Sequence, residues 1–317
     1  MAKIQPCERV MEFQLSAGSN YIDLAQCLSY INRKMYRQGM EYVVSNIELV
    51  GSNADIITAS LQRVIHGWSS ANAWVKGFKH WNAQVNENLR EAGAESIRGK
   101  YADFKIAIDD DHSTAANLLP KNFLTPAAAA VIDVDLQYDW EFSQVLIPVD
   151  GAAPEEPFLH FVGPDSATSR SLVYNYALSR ARPQAIDPNA VINPVSLVGA
   201  ETGGLYQEMI DLGDISEEVL DHAMIHNQEP PYLVSDYSGY EWYPGGQGFD
   251  LGGLTNQDTL VVRAGSTVGT DNSGPMSLYC GLLHVLASAE AAASVLRITV
   301  MPGEYHGVMA RPMQEVN

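Results

Sequence analysis

Three consecutive carboxylates, Asp109, Asp110 and Asp111, are followed directly by His112. Three carboxylates in one short loop could bind a calcium ion, particularly if a second chain completed the oxygen shell. Calcium takes six or more oxygen ligands in proteins, and the local sequence does not follow an EF-hand. An ordinary acidic turn is the default interpretation, and an interface Ca²⁺ bound by Asp109, Asp110 and Asp111 is the metal hypothesis for this segment.

A second group of residues combines cations with aromatic rings. Arg33, Lys34 and Arg37 form the densest positive cluster in the sequence, and Tyr30 and Tyr36 lie among them. Cations contact phosphates and aromatic rings stack on unpaired bases, so this mixture is typical of single-stranded nucleic-acid binding. We take Arg33, Lys34, Arg37 and Tyr36 as the candidate contacts. Because three charges are few, a solvated surface patch is the alternative.

Two histidines four residues apart, His222 and His226, would share one face of a predicted helix. That spacing can present two imidazoles to a metal ion, and Glu218 and Asp221 lie nearby. The segment has neither HExxH nor an identifiable third ligand, so a solvated helix face competes with the metal site.

Motifs for nucleotide binding or hydrolysis are missing from the sequence. The glycines of residues 245–253 are not followed by GK[ST] and have no βαβ setting, so they do not form a P-loop. Serine, histidine and aspartate are plentiful, but no GxSxG or other nucleophile setting accompanies them. The motifs therefore give no support to nucleotide binding or to hydrolysis at a serine nucleophile.

Charge is distributed unevenly along the chain. Residues 1–105 carry 12 Lys+Arg and 10 Asp+Glu, which is +2, whereas residues 106–317 carry 7 and 28, which is −21; together they give the net −19. This asymmetry suits a molecule whose two ends face different surroundings, although a solvated acidic exterior also explains much of it.

Cysteine usage and hydropathy exclude several classes of protein. Cys7, Cys27 and Cys280 are far apart and form no CxxC pair, which predicts buried free thiols and neither a disulfide framework nor structural zinc. No apolar run suits a secretion signal, and no stretch approaches the ~18 apolar residues of a membrane helix. We expect a protein without a membrane partner, made inside a cell without a secretion signal.

The elements that must position these groups are mostly strands. Residues 131–140 (VIDVDLQYDW) alternate apolar and polar side chains, the pattern of a strand with one buried face. Residues 42–50 and 56–66 predict a hairpin around the turn at Gly51. Aromatic residues at helical spacing predict an amphipathic helix over residues 71–91, with its aromatic stripe packed on the core.

Shorter patterns complete the prediction. We expect further strands at residues 104–109, 144–149, 158–162, 258–264, 278–286 and 295–301, and further helices at residues 169–182, capped by Ser169, and 213–227. The two last strands are apolar enough to lie near the centre of a sandwich.

This order of elements predicts an all-β protein with added helices, built as an antiparallel β-sandwich of the jelly-roll type with long elaborated loops. At 46% hydrophobic residues over 317 positions, the chain can bury a substantial core. No repeat or convincing linker divides the sequence. We therefore expect a single domain over residues 1–317, with helical insertions at residues 70–92 and 213–227.

Several segments, in the same order, resemble coat proteins of small circular Rep-encoding single-stranded DNA viruses of environmental and marine type, the CRESS-DNA viruses. The likeness runs from about residue 70 to the C-terminus. The segments that carry it are residues 72–76 (NAWVK), 99–105 (GKYADFK), 176–183 (YALSRARP), 227–232 (NQEPPY) and 280–283 (CGLL).

The resemblance implies a viral jelly-roll coat protein that assembles, without catalytic activity, into a small icosahedral shell around single-stranded DNA in the virion. Such proteins commonly begin with a basic arm, but residues 1–20 contain only Lys3 and Arg9 against Glu8 and Glu12. Genome contact would then depend on positions such as Arg33, Lys34 and Arg37, with residues 1–40 at the inner surface, or the shells would be empty.

Two other functions fit the same fold class. A carbohydrate-binding jelly roll could use Trp242 and Tyr243, beside the glycine-rich loop, as a sugar platform. A cupin-like metalloprotein could use His222, His226 or His306, although the HxH strand motif is lacking.

Overall fold

The computed structural model describes residues 6–51, 55–97, 99, 103–121, 140–147, 155–181, 206, 253–265 and 267–316. The chain divides into two compact units. Unit 1 comprises Met1–His66, Thr114–Glu141 and Leu254–Asn317, and unit 2 comprises Gly67–Ser113 and Phe142–Gly253. Two such units can belong to one structural domain, so our expectation of a single domain over residues 1–317 stays a prediction.

The described strands are, in chain order, β1 (Val10–Gln14), β2 (Gly18–Asp23), β3 (Met40–Gly51), β4 (Ile57–Arg63), β5 (Phe158–His160), β6 (Ser169–Ser171), β7 (Thr255–Val262), β8 (Gly269–Ser273), β9 (Met276–Tyr279), β10 (Leu282–Ala287), β11 (Val295–Val300), β12 (Pro302–Tyr305) and β13 (Ala310–Pro312). The described α-helices are α1 (Leu24–Asn32), α2 (Trp68–Glu91), α3 (Asp110–Thr114) and α4 (Leu172–Ala181). Short 3₁₀ helices cover Glu95–Ile97, Ala289–Ala293 and Met313–Glu315.

Unit 1 contains two antiparallel sheets. Sheet 1 has the order β1-β11-β3-β13, with β8 and β9 also paired to β3, and sheet 2 has the order β2-β10-β4-β7. The pairing is nested: β1 pairs with β11, β2 with β10, β3 with β9 and β8, and β4 with β7. The first four strands therefore meet the later ones in reverse order. The predicted all-β character with added helices is confirmed at this level.

The predicted hairpin between residues 42–50 and 56–66 is wrong. Both segments are strands, β3 and β4, but they pair with different partners in different sheets. Each finds its partners far away in sequence, for example Ile47 opposite Ile298 and Leu61 opposite Val285. Alternation of apolar residues determines which face of a strand is buried, but it does not determine which strand lies beside it.

The inward faces of both sheets form one hydrophobic core. The alternating residues Tyr42, Val44 and Ile57, Ala59 of β3 and β4 are fully buried within it. β10 and β11, which are flanked by strands on both sides, contribute further buried residues, so the predicted interior position of the late strands is confirmed. Each fully buried aliphatic side chain contributes roughly 1.5–3 kcal/mol to the stability of the unit.

A tight turn divides the predicted strand at residues 278–286 into β9 and β10. Cys280 and Gly281 both have left-handed backbone angles, φ 58° and 69°. A side chain at Gly281 would begin 3.0 Å from the ring of Tyr42 and 3.2 Å from Leu24 Cβ. Glycine therefore satisfies both the backbone angle and the close approach, and it lets the chain pass from sheet 1 to sheet 2.

Unit 2 contains the predicted aromatic helix, observed as α2. Trp74, Phe78 and Trp81 project from it toward Phe104, with ring centroids 5.3–5.8 Å from that of Phe104. The aromatic stripe therefore packs inward, as predicted from its spacing. α4 packs against α2 at Gly77, where a Cβ atom would lie 2.6 Å from Leu172.

Other predictions for unit 2 are corrected. The helix predicted to begin at Ser169 begins at Leu172, and Ser171 caps it by accepting a hydrogen bond from the Tyr174 amide at 3.4 Å. The segment of residues 104–109 forms one isolated bridge, between Ala107 and His160, and not a strand, although residues 104–108 are all buried.

Two prominent sequence features lie outside the described residues. They are residues 131–139 of the alternating segment, whose last residue, Trp140, is described, and the predicted helix at residues 213–227.

Candidate functional site

The basic cluster lies on the connection between α1 and β3. Asp23 begins α1, because its Oδ1 accepts hydrogen bonds from the backbone amides of Ala25 at 2.9 Å and Gln26 at 3.2 Å. The helix ends at Arg33, which adopts a left-handed conformation with φ 51°. This reversal directs Lys34 and the residues that follow away from the helix axis.

Tyr36 anchors this connection in the core and is not available to nucleic acid. Its side chain is fully buried, and its hydroxyl donates to the carbonyl of His306 at 3.0 Å. The rings of Tyr305 and His306 meet it edge-on, at 6.0 and 5.6 Å. Burial also raises the pKa of the phenol. The predicted stacking of Tyr36 on a base is therefore wrong, since neither ring face reaches the surface.

The three cations of the cluster are exposed. Two tyrosines fix the backbone of Arg37: the Arg37 amide donates to the Tyr305 hydroxyl at 3.0 Å, and the Tyr42 hydroxyl donates to the Arg37 carbonyl at 2.7 Å. Met35, which is 39% exposed, separates the cations. Arg33, Lys34 and Arg37 thus form a short cationic loop on a fixed backbone, which can contact phosphates without reading bases.

A buried carboxylate holds the start of the same helix. Asp23 Oδ2 accepts hydrogen bonds from Gln38 Nε2 at 3.0 Å and Trp140 Nε1 at 2.8 Å, in addition to the two amides at Oδ1. Complete burial raises the pKa of Asp23 to about 6, and the four hydrogen bonds oppose that rise. Asp23 therefore joins β2, α1, the entry to β3 and Trp140 at a single side chain.

Sequence reasoning missed this carboxylate. Asp23 directly before the apolar run of α1 is a recognisable capping signal, but no pattern connected it with Gln38 or Trp140. Cys27 and Cys280 lie near it and are buried free thiols, as predicted, whereas Cys7 is half-buried. Burial raises the pKa of both the Cys27 and Cys280 thiols, so neither is activated as a nucleophile.

The acidic triplet forms the start of the short helix α3. Asp109 Oδ1 accepts from the His112 amide at 2.8 Å, and Asp110 Oδ1 accepts from the hydroxyls of Ser166 at 2.7 Å and Ser169 at 2.5 Å. Asp111 is exposed. Within the described residues, no three His, Cys, Asp or Glu side chains are grouped to hold a metal ion. Calcium at this triplet stays a prediction that would require ligands from elsewhere.

Two serines, a buried histidine and an aspartate occur together in unit 2, but their contacts are not those of a catalytic triad. Both serine hydroxyls near Asp110 donate to that carboxylate, and neither ring nitrogen of the buried His160 is hydrogen-bonded to a serine or aspartate side chain among the described residues. Burial lowers the pKa of His160 to about 4. In a catalytic triad the general base is hydrogen-bonded to its nucleophile, and the described contacts of Ser166, Ser169 and His160 do not include that bond.

The residues of the two alternative functions lie mostly outside the described part of the chain. This applies to His222 and His226 and to the aromatic pair Trp242 and Tyr243. His306 is described: its backbone is left-handed, with φ 52°, and its ring lies 4.7 Å from that of Tyr305.

Comparisons with known proteins do not assign the chain to a family. No protein-family model, no curated protein and no solved structure matches the chain. None of the described helices is long and apolar enough to cross a membrane.

Proposed function

We propose that the chain is a viral coat-protein subunit with a jelly-roll fold, which assembles into a small icosahedral shell. The nested strand pairing of unit 1 carries the proposal. β1 to β4 meet β11, β10, β9 with β8, and β7 in that order, across two sheets that share one core. Nested pairing of this kind is what a jelly roll would give, since that fold is one long antiparallel hairpin rolled into two layers. Jelly rolls occur in viral capsid and lectin domains and in cupins.

Because the jelly roll hosts several functions, the choice of a shell depends on further features. The resemblance to coat proteins of circular single-stranded DNA viruses favours it. So does the long excursion of the chain between β4 and β7, because loops of a jelly roll supply contacts between neighbouring subunits. Identical subunits would meet through such contacts around the symmetry axes of a closed shell.

The proposed nucleic-acid partner is the viral single-stranded DNA, bound weakly. The exposed cationic loop of Arg33, Lys34 and Arg37 would supply the phosphate contacts. Without the stacking contribution of Tyr36, and with a subunit charge of −19, the affinity for DNA should be low and strongly dependent on salt. Shells with little or no nucleic acid are expected.

Sedimentation velocity of the full chain tests self-assembly directly. Subunits of charge −19 repel one another, and 0.1 M salt reduces the range of that repulsion to about 10 Å. We therefore expect a large, uniform species whose fraction rises with NaCl or CaCl₂. A monomer or dimer under every salt, pH and calcium condition would contradict the proposal.

A further inference from the structure

The helices α2 and α4 of unit 2 carry positive charge without carboxylates. Residues 68–86 of α2 and Leu172–Ala181 of α4 contain Lys76, Lys79 and Arg180, and neither stretch contains an aspartate or a glutamate. The whole chain has the opposite balance, with 38 acidic residues against 19 basic ones. A locally positive surface attracts polyanions even when the net charge of the protein is negative.

Contacts between the two helices place these cations beside aromatic rings. The guanidinium carbon of Arg180 lies 4.7 Å from the centroid of the Trp68 ring and 5.4 Å from that of Tyr176. The Lys76 ammonium lies 6.0 Å from the centroid of the same tyrosine ring. Lys79 is exposed and follows Lys76 by three residues, so the two are neighbours on the surface of α2. We call these five residues the basic aromatic face: Trp68, Lys76, Lys79, Tyr176 and Arg180.

Trp68 supplies the exposed ring of the basic aromatic face. It is 44% exposed, and among the described residues no other aromatic side chain is exposed to that extent. It lies on the side of α2 away from the aromatic stripe that packs on Phe104. An exposed indole beside a guanidinium offers a surface on which an unpaired base can stack.

Lys76 is half-buried, and no described carboxylate forms an ion pair with it. Its ammonium donates to the Ser179 hydroxyl at 2.6 Å and lies 4.4 Å from the centroid of the Tyr206 ring. Burial lowers the pKa of Lys76 because the ammonium has lost part of its hydration. An anion bound beside the ammonium would compensate for that loss, and a phosphate group is such an anion.

We propose that the basic aromatic face binds single-stranded nucleic acid, with phosphates at Lys76, Lys79 and Arg180 and a base stacked on Trp68. The inference rests on the proposed nucleic-acid partner and deepens that proposal by adding a second contact surface to the cationic loop. Cations combined with a stacking ring are typical of proteins that bind single strands without sequence preference. Three phosphate contacts on a subunit of charge −19 still give weak binding, in keeping with shells that hold little nucleic acid.

An abasic oligonucleotide isolates the stacking contribution in the wild-type chain. Fluorescence anisotropy compares a labelled oligothymidine with an abasic strand of the same length, which has the same phosphates and no bases. The cationic loop contributes no stacking, because Tyr36 is buried. We expect oligothymidine to bind at least about fivefold more tightly than the abasic strand. Equal affinities for the two strands would overturn the inference.

Two substitutions at Trp68 assign that preference to the basic aromatic face. Trp68→Phe keeps an aromatic ring, and Trp68→Leu removes the ring at the same position. Both should unfold near the wild-type denaturant midpoint, because position 68 is exposed. We expect Trp68→Phe to retain most of the preference for oligothymidine and Trp68→Leu to lose it. A Trp68→Leu variant with the wild-type preference would show that the bases stack elsewhere and would overturn the inference.

A charge substitution tests the phosphate contacts. Lys76→Met combined with Lys79→Gln should lower the slope of log K against log salt by about 1.4, since each phosphate contact contributes about 0.7. Arg90→Gln is the control on the same helix, because Arg90 is exposed and already paired with Glu87; it should leave the slope nearly unchanged. Equal loss of slope for each charge removed would exclude phosphate contacts at Lys76 and Lys79.

Sedimentation of the same samples separates this inference from the proposed shell. If particles form but oligothymidine and the abasic strand bind equally, the shell stands and the basic aromatic face is not a nucleic-acid site. If no particles form but Trp68→Leu abolishes a preference for bases, the nucleic-acid site stands and the shell proposal falls.

Discussion

Trp140 donates its indole N–H to the carboxylate of Asp23 at 2.8 Å, although 117 positions separate the two residues. The bond ties a distant segment of unit 1 to the start of α1, the helix that ends at the cationic loop. Both side chains are buried, and the carboxylate also accepts from Gln38 and from two helix amides. A substitution at Asp23 would therefore disturb four hydrogen bonds at once.

We predict that Asp23→Asn destabilises unit 1 at pH 7.5. The amide oxygen can still cap α1, but the amide nitrogen would face the Trp140 N–H, leaving that buried donor unpaired, at a cost of roughly 1–3 kcal/mol. Chemical denaturation measures the loss. Asp55→Asn, at an exposed carboxylate, is the control and should change the unfolding free energy by less than about 0.5 kcal/mol. Equal effects of the two substitutions would exclude a special role for Asp23.

The pKa of Asp23 predicts how the stability depends on pH. The pKa of Asp23 in the folded protein, about 6, lies above the usual 3.8, so the folded state holds the proton more tightly than the unfolded state does. Proton binding at Asp23 therefore stabilises the fold, fully below pH 3.8, and this stabilisation is lost as the pH rises through about 6. When the pH falls from 7.5 to 5, the free energy of unfolding of the wild type should therefore rise by about 1 kcal/mol relative to that of Asp23→Asn. Unfolding curves at the two pH values, which stay above the isoelectric point near 4.6, measure this difference. A pH-independent difference would show that the carboxyl titrates normally.

A glycine near the C-terminus gives a packing prediction. A Cβ atom at Gly303 would clash with Met309 Cα and lie 2.7 Å from the Val308 carbonyl oxygen, and both are backbone atoms that cannot rotate away. We expect Gly303→Ala to reduce the unfolding free energy by about 1–3 kcal/mol through overpacking. Gly265→Ala, where nothing lies within 4 Å, is the matched control and should be nearly neutral. If both substitutions behave alike, the β12 hairpin is packed less tightly than described.

The cationic loop predicts the salt dependence of DNA binding. Arg33→Asn, Lys34→Gln and Arg37→Gln together remove three charges, and asparagine is chosen for its tolerance of the left-handed backbone at position 33. Fluorescence anisotropy with a labelled oligothymidine should show weaker binding, and the slope of log K against log salt should fall by about 2, since each phosphate contact contributes about 0.7.

Arg263→Gln supplies the control for that measurement, because Arg263 is also exposed but lies at the end of β7. It should leave both the affinity and the slope nearly unchanged. If the triple variant and Arg263→Gln weaken DNA binding equally for each charge removed, the affinity depends only on the net charge of the protein, and the cationic loop is not a DNA-binding site.

Local patterns in the sequence predicted local structure well. The spacing of Trp74, Phe78 and Trp81 predicted both the helix and its inward face, because helical periodicity is a short-range property. Strands β3 and β4 were predicted for the same reason. Their partners were not, because pairing with strands more than 200 positions away depends on the whole fold.

The candidate site shows the same division. The cluster of cations was visible in the sequence, and Arg33, Lys34 and Arg37 are indeed exposed. The burial of Tyr36 could not be read from its neighbours, since it depends on the C-terminal residues Tyr305 and His306 that pack against it.

Electron microscopy of the purified full chain, combined with its absorbance ratio at 260 and 280 nm, tests the central proposal most directly. We expect uniform closed particles of roughly 20 nm, the size estimated for about 60 subunits of ordinary domain dimensions. Their absorbance ratio should be close to that of protein alone, because the cationic loop offers few phosphate contacts. Fields without closed particles, in salt and calcium conditions that keep the chain folded, would contradict the coat-protein function.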